Sequence, residues 1–486
     1  MKSTPKHPLL AHARPNIGLV LCGFASLALW LVVLFAPHVA GPVLSRIIVK
    51  PTAVPDAGPT WLLLTLFVPY AAAYFFATRR PEAGDLAVIG VFSAVFCVAL
   101  VARYLPLASY DLFLYVFQGR AVAFHGLNPY AFVPAAITDP FVAAMGQWLS
   151  GLKDTYGPLW TSFAAMLAAA IGDRPAAQVV AFKAFVAAFF LACVPVVAAI
   201  RAAVATGPAD AAEDAGAMLL FAWNPALLFE LVQNGHNDAV MVFFLLAAIL
   251  LALRGRLAWA GTALAASFLI KYITLLCVPF FVAYAVSRAD AGARRRMAAA
   301  ATLLVPAAVL TIVAYAPYWF GLGTLDGLFH QSSLAGIDIS SPLAFAVAFA
   351  IAGGTKHILT QAVINGAAKP ALLAFAAAAV LLTAAAFRRR VIDDREFVRF
   401  AFAPLICYLA MVSFWFMPWY LSWIVPLAVV EGAALVSLVS GVTGILLYYS
   451  YFAGPLLALA VAVTAAASAV ASRFAASRSG DSGRKI

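Results

Sequence analysis

Charge is what this chain has least of. Only 10% of its 486 residues are Asp, Glu, Lys or Arg, and 65% are hydrophobic. Roughly a quarter of an ordinary soluble domain is charged. A soluble fold of this length must still show more apolar than polar surface, and it could not hide this much more. A soluble enzyme and a disordered chain are therefore excluded. Cysteine is also scarce: Cys22, Cys97, Cys193, Cys277 and Cys407 all lie in apolar runs without Cys-x-x-Cys spacing. That excludes a secreted disulfide scaffold and leaves them as small packing residues. The net charge of +11 comes from short clusters between apolar runs: Arg79-Arg80, Arg254/Arg256, Arg288 with Arg294–Arg296, Arg388–Arg390, and a basic tail. Such spacing follows the positive-inside rule and offers no nucleic-acid patch.

What remains is an all-α, polytopic transmembrane helical bundle, with mean hydropathy +0.98. Its apolar runs predict about 14 crossings, several shorter than the ~20 residues a full crossing needs, with both termini inside. The run at 17–36 follows Lys2, Lys6 and Arg14 without a small-residue cleavage site, and reads as an uncleaved first span. Four parts are expected in one membrane domain, 1–486: N-terminal spans (1–106), an external loop (107–157), a helical bundle (158–472) and a cytoplasmic basic tail (473–486). The short runs at 158–172 and 342–368 do not read as plain crossings.

The same threading puts Asp111, Arg120, His125, His236, Asp238, Lys271 and His330 on the outer face, with many aromatics. Ionisable groups at membrane depth are costly and usually functional. Asp111, Tyr115, Gln118 and His125 fall on one helical stripe, and Phe113, Phe117 and Phe124 make an apolar one. An interfacial amphipathic helix lying on the membrane surface is predicted there. Ser109 or Asp111 would cap its start, and Gly126-Leu127-Asn128-Pro129 would end it, since Pro129 disfavours helix at Asn128. Each of these residues also has an ordinary structural reading. Asp111 is then an N-cap, His236-Asn237-Asp238 cap the next helix, Lys271 snorkels, His330 is a loop residue, and Trp419 and Tyr420 belong to an interface belt.

Taken in order, the outer-face motifs resemble the GT-C superfamily of integral-membrane glycosyltransferases, nearest to the bacterial polyprenol-phosphate-mannose-dependent mannosyltransferases. They are Asp111, Gly119-Arg120, Gly126-Leu127-Asn128-Pro129-Tyr130, Tyr156-Gly157-Pro158-Leu159, Asn224-Pro225, Gly235-His236-Asn237-Asp238, Lys271 and Pro418-Trp419-Tyr420. The resemblance spans about residues 105–425. It implies inverting transfer of a sugar, mannose or another hexose or pentose, from a polyprenyl-phosphate donor to a lipid or glycan acceptor. The site would face the exterior of a bacterial inner membrane, with membrane lipids as surroundings and no nucleic acid as partner. Asp111 would be the general base. Arg120, Lys271 and His330 would receive the departing phosphate. Tyr110, Tyr115, Asn128, Tyr130, Tyr156, His236, Asn237, Asp238, Trp419 and Tyr420 would line the substrates. No Asp-x-Asp occurs, so the metal-bound nucleotide-sugar site of soluble glycosyltransferases is missing, and neither a metal nor a cofactor is expected. A transporter or flippase of lipid-linked sugars is the alternative. It would commonly show internal repeats, and none is visible. An O-antigen polymerase or ligase would carry its main external loop late in the chain, whereas here the longest lies early.

Overall fold

In the computed structural model the described residues are 16–35, 58–107, 109–145, 149–205, 211–289, 292–331, 342–353, 361–412, 417–432 and 437. Among them the fold is helical throughout, with no strand. The principal helices are α1 (Ile17–Phe35), α2 (Phe67–Arg79), α3 (Asp85–Ala102), α4 (Asp111–Ala123), α5 (Pro158–Ile171), α6 (Pro175–Val204) and α7 (Ala211–Ala222). They continue as α8 (Asp238–Leu253), α9 (Leu257–Phe268), α10 (Val278–Arg288), α11 (Ala293–Tyr315), α12 (Pro342–Ala352), α13 (Gln361–Arg388) and α14 (Asp394–Met411).

Seven described stretches are long and apolar enough to cross a membrane, including α1, α3, α6 and α11, and the chain is a polytopic membrane protein. The other anticipated crossings are mostly shorter. Asp238–Leu253 and Leu257–Phe268, for example, have 16 and 12 residues, the former about 24 Å long. The runs expected at 433–451 and 455–472, and the basic tail, lie outside the described residues apart from Ser437. The short segment at 158–172 is a single 14-residue helix, α5. The interrupted run at 342–368 contains α12 and the start of α13.

One expectation is corrected. A helix does begin at Asp111, but Leu112–Ala121 are all buried, so α4 has no free face to lay on a membrane surface. Its weak amphipathic pattern reflects packing on every side. It lies against α5, and the two backbones meet where a Cβ on Gly119 would fall 2.2 Å from the Ala164 carbonyl oxygen. Only glycine admits that approach.

The buried core runs through α4, α6, α7 and α8. Residues 215–233 are all buried, whereas Ala293–Tyr315 is mostly exposed and carries Val309, Ile312 and Val313 outward. An apolar outer face of that kind is what lipid contact requires. Charges gather at one end of the bundle. Arg201 pairs with Asp214 at 3.0 Å, Arg288 lies 3.7 Å from Asp394, and Arg395 and Arg399 both reach Glu431. The loop at Gly255 meets Arg288 around a cavity of about 250 Å³. The basic clusters therefore come together through space as well as along the sequence. At the other end Lys183 threads back to donate to the Leu100 carbonyl at 2.7 Å, to the Arg103 carbonyl and to the side-chain Oε1 of Gln233. It ties off the open C-terminus of α3.

Candidate active site

Three chain segments meet at the end opposite the basic clusters. The first is the N-terminus of α4. Its N-cap is Tyr110, without a side-chain cap, and the Asp111 amide donates to Ser109 Oγ at 3.2 Å. Asp111 is therefore not the N-cap, and its carboxylate is free for other contacts. The second is the loop before α5. A Cβ on Gly157 would lie 2.1 Å from the Leu269 carbonyl oxygen, and the Gly157 amide donates to Ile270 at 3.1 Å. This close approach seats Tyr156 beside Lys271. The third is the turn Asn234–Asp238, where Asn237 is the N-cap of α8 but makes no side-chain cap. In neither segment does capping account for the polar residues.

The side chains from these segments interlock. Tyr156 OH donates to Asp111 Oδ2 at 3.3 Å, and Tyr115 OH lies 3.3 Å from both Tyr156 OH and Asn237 Oδ1. Lys271 Nζ grips both oxygens of Asp238 at 3.0 and 2.9 Å, while Trp423 Nε1 donates to Asp238 at 2.6 Å. Lys271 also sits 5.1 Å from the Tyr420 ring centre and 5.6 Å from that of Trp423. The His236 ring stacks on Trp419 at 3.7 Å. Its Nδ1 faces Asp111 Oδ2 and its Nε2 faces Glu230 Oε2, each at 3.6 Å. Both nitrogens of His236, Asn237 Nδ2 and Trp419 Nε1 are buried without a hydrogen-bond partner among the described residues. Polar groups left in that state are rare in a folded interior, and their gathering at one place makes this cluster the candidate site.

The two carboxylates facing this cluster are not equivalent. Asp238 is completely buried and tied to Lys271 and Trp423, whereas the Asp111 side chain is 18% exposed. Burial pushes the Asp111 carboxyl up to about 6, against the pull of the Lys271 charge and the Tyr156 hydrogen bond. Burial also pushes the His236 imidazole well down, helped by Lys271. The site thus offers a reachable carboxylate poised near neutrality, an ammonium group beside it, and an aromatic wall.

Other sequence candidates lie elsewhere. Arg120 is corrected: nine residues along α4 place it about 13 Å from Asp111. Its guanidinium is spent on Asp139 at 2.8 Å, Asp173 at 2.6 Å and Gln178 at 3.0 Å, between the rings of Phe124 and Phe141. His125 joins the same knot at 3.1 Å from Asp139. Lys183 serves α3. Asn128 shapes a turn, accepting from Tyr130 N and donating to the Tyr318 carbonyl. Tyr130 OH holds the Tyr156 carbonyl at 2.9 Å, one step behind the site. Tyr110 packs on Phe113. The His330 side chain lies outside the described residues. Its helix, Asp326–Gln331, is moored to the loop before α5 by Lys153 and Asp326, 2.9 Å apart.

Three participants were missed. Trp423 follows Trp419 by four residues on the 3₁₀ helix Pro418–Trp423. Asp154 accepts from Gln118, Thr161 and the Tyr156 amide and so fixes the loop; burial pushes it up to about 7. Glu230, the sole charge in the apolar run 216–233, was detectable as an ionisable residue at membrane depth.

The profile of the family described as Alpha-(1->6)-mannopyranosyltransferase, N-terminal domain, matches residues 17–287. Those limits enclose Asp111, Tyr156, the His236 turn and Lys271. Alpha-(1->6)-mannopyranosyltransferase A of Corynebacterium glutamicum is 24% identical over 206 residues, 42% of this chain and 40% of that protein. No solved structure matches. Since the family profile covers more than half of the sequence, and the buried polar cluster built by α4, the loop before α5 and the start of α8 falls within it, the chain belongs to the alpha-(1->6)-mannopyranosyltransferase family.

Proposed function

We propose that the protein is an inverting mannosyltransferase that takes its sugar from a polyprenyl-phosphate donor on the outer side of a bacterial inner membrane. The observation that carries the reading is the juxtaposition of Asp111, reachable and poised near neutrality, with Lys271, held by Asp238. Asp111 takes the proton of an acceptor hydroxyl. The acceptor oxygen bonds to C1 of the donor sugar from the face opposite the phosphate. The C1–O bond breaks and its electron pair leaves with the phosphate. Negative charge grows on that phosphate, and Lys271 receives it through the third of its N–H groups, since two are committed to Asp238. Tyr115 and Tyr156 hold the base, and Tyr420 and Trp419 wall the sugar. One face of Trp419 is already covered by His236, so stacking would use the other. Arg120 has no part in this scheme.

The name of the relative suggests mannose as donor sugar and a primary 6-hydroxyl as nucleophile, hence a mannoside acceptor. The direct test uses purified full-length protein in lipid nanodiscs, a radiolabelled polyprenyl-phosphate-mannose and octyl α-mannoside. A new α-linked dimannoside is expected. If label crosses a sealed bilayer without any new glycosidic bond, the transporter reading replaces this one.

A further inference from the structure

His236 is suspended between two carboxyl groups. Its Nδ1 lies 3.6 Å from Asp111 Oδ2 and its Nε2 lies 3.6 Å from Glu230 Oε2. The ring is wholly buried and clamped flat on Trp419, so it cannot turn away from either. Glu230 is equally fixed. It sits on a π-helical turn, Leu228–Gln233, and the Asn234 amide donates to its Oε2 at 3.1 Å. Asn234 is itself anchored, accepting from the Leu107 amide. An inserted π-turn widens a helix and is commonly found at functional sites. Here it aims a carboxyl group at a ring nitrogen.

A neutral imidazole has one N–H and one lone pair. Placed between two ionised carboxylates it satisfies one and turns a lone pair on the other, in a site with no water-like screening. The conflict disappears if Glu230 contributes a proton of its own. Then Glu230 donates to Nε2, and His236 must carry its proton on Nδ1, aimed at Asp111. We propose that Glu230 is a positioning residue for the transfer reaction: by donating to His236 Nε2 it locks the imidazole as the Nδ1–H tautomer, which holds Asp111 Oδ2 and leaves Oδ1 to take the acceptor proton. The gaps of 3.6 Å are longer than hydrogen bonds, and such contacts tighten when substrate closes a site. Orientation of a base by a buried carboxyl–imidazole pair is a recurring solution for proton transfer.

The inference rests on the reading of Asp111 as base, but it separates from it. The groups facing Asp111 are Tyr156, Tyr115, His236, Lys271 and Asp238, and Glu230 reaches it only through the ring. Glutamine at 230 keeps the size and can donate to Nε2 without charge, whereas leucine cannot. The test is the pH profile of mannose transfer for the wild type, Glu230→Gln and Glu230→Leu in nanodiscs. The acid limb of Glu230→Gln should stay with the wild type. In Glu230→Leu nothing holds Nε2, the ring populates both tautomers, and the limb should rise by up to about one pH unit as Asp111 loses part of its hydrogen bond from His236. A limb that moves as far in Glu230→Gln as in Glu230→Leu would overturn the donor role, and an unmoved limb in Glu230→Leu would reduce Glu230 to packing. If the variants do not fold, ¹⁵N NMR of histidine-labelled wild-type protein decides without them. His236 protonated on Nδ1 at neutral pH is the expected result, and an Nε2–H tautomer refutes the proposal. That measurement needs no substrate, so it stands even if wild-type protein transfers no mannose.

Discussion

Asp111 and Asp238 face the same cluster, and their surroundings decide which can act as a base. Asp238 is saturated by Lys271 and Trp423 and wholly buried; Asp111 has one long hydrogen bond from Tyr156 and a partly open oxygen pair. A base works as the anion. With Asp111 held up at about 6, kcat/KM should therefore be level above neutral pH and fall roughly tenfold per pH unit once the pH is below about 6. Lys271 pulls that carboxyl down, so Lys271→Met should move the acid limb to higher pH and also weaken inhibition by polyprenyl monophosphate. A limb that moves to lower pH would mean that Lys271 does not face Asp111. Arg120 behaves differently. Its removal strands Asp139, whose side chain is 1% exposed, with no compensating cation of equal strength. Arg120→Met should cost ~3–5 kcal/mol of stability, seen as a lower thermal midpoint in detergent, while any folded fraction keeps its affinity for polyprenyl monophosphate. Loss of that affinity at unchanged stability would restore Arg120 to the phosphate pocket.

The elements hold the site through backbone approaches that admit no side chain. At Gly157 the loop before α5 lies on the Leu269–Ile270 carbonyls, and this contact keeps Tyr156 beside Lys271. Gly157→Val should displace the loop and depress turnover far more than it depresses acceptor-independent donor binding; equal turnover would show that the loop position is not needed. Lys183 is an element-scale residue as well. Lys183→Met leaves the Leu100 and Arg103 carbonyls without their donor, so a stability loss of ~1–3 kcal/mol is expected, with the pH profile unchanged in shape. At this scale the sequence was readable where a pattern is local. The helix after Ser109 and the turn at Gly235 follow from neighbouring residues, whereas α4 ends at Ala123, before the expected stop at Gly126-Leu127-Asn128-Pro129. The partners of Arg120 were not readable, because Asp139 and Asp173 come from loops 19 and 53 positions away. The burial of α4 was hidden for a related reason: helix periodicity reports which residues differ, and a helix packed on every side has little contrast to report. Glu230 was visible as a lone intramembrane charge, but its meaning required the π-turn that points it at His236.

The molecule as a whole has a charged end and an end that carries the buried polar cluster. Arg201, Arg288, Arg395 and Arg399 pair with acidic partners at the first, and Asp111, His236 and Lys271 meet at the second. The positive-inside rule then sets the orientation. In a cysteine-free background, Leu322→Cys, at an exposed turn after α11, should react with a membrane-impermeant maleimide from outside, and Val391→Cys, exposed beside Arg388–Arg390, should react only after permeabilisation. The reverse pattern would put the site on the cytoplasmic face, where a lipid-linked donor of the outer leaflet cannot reach it. The proposed function makes one central chemical assertion: Asp111 removes the proton from the acceptor while mannose leaves a lipid phosphate. The most direct measurement is single-turnover mannose transfer by Asp111→Asn, which keeps the shape of the side chain but not its basicity. The rate should fall by about 10²–10⁴ with donor binding and thermal midpoint unchanged. Transfer near the wild-type rate by a folded Asp111→Asn protein would contradict it.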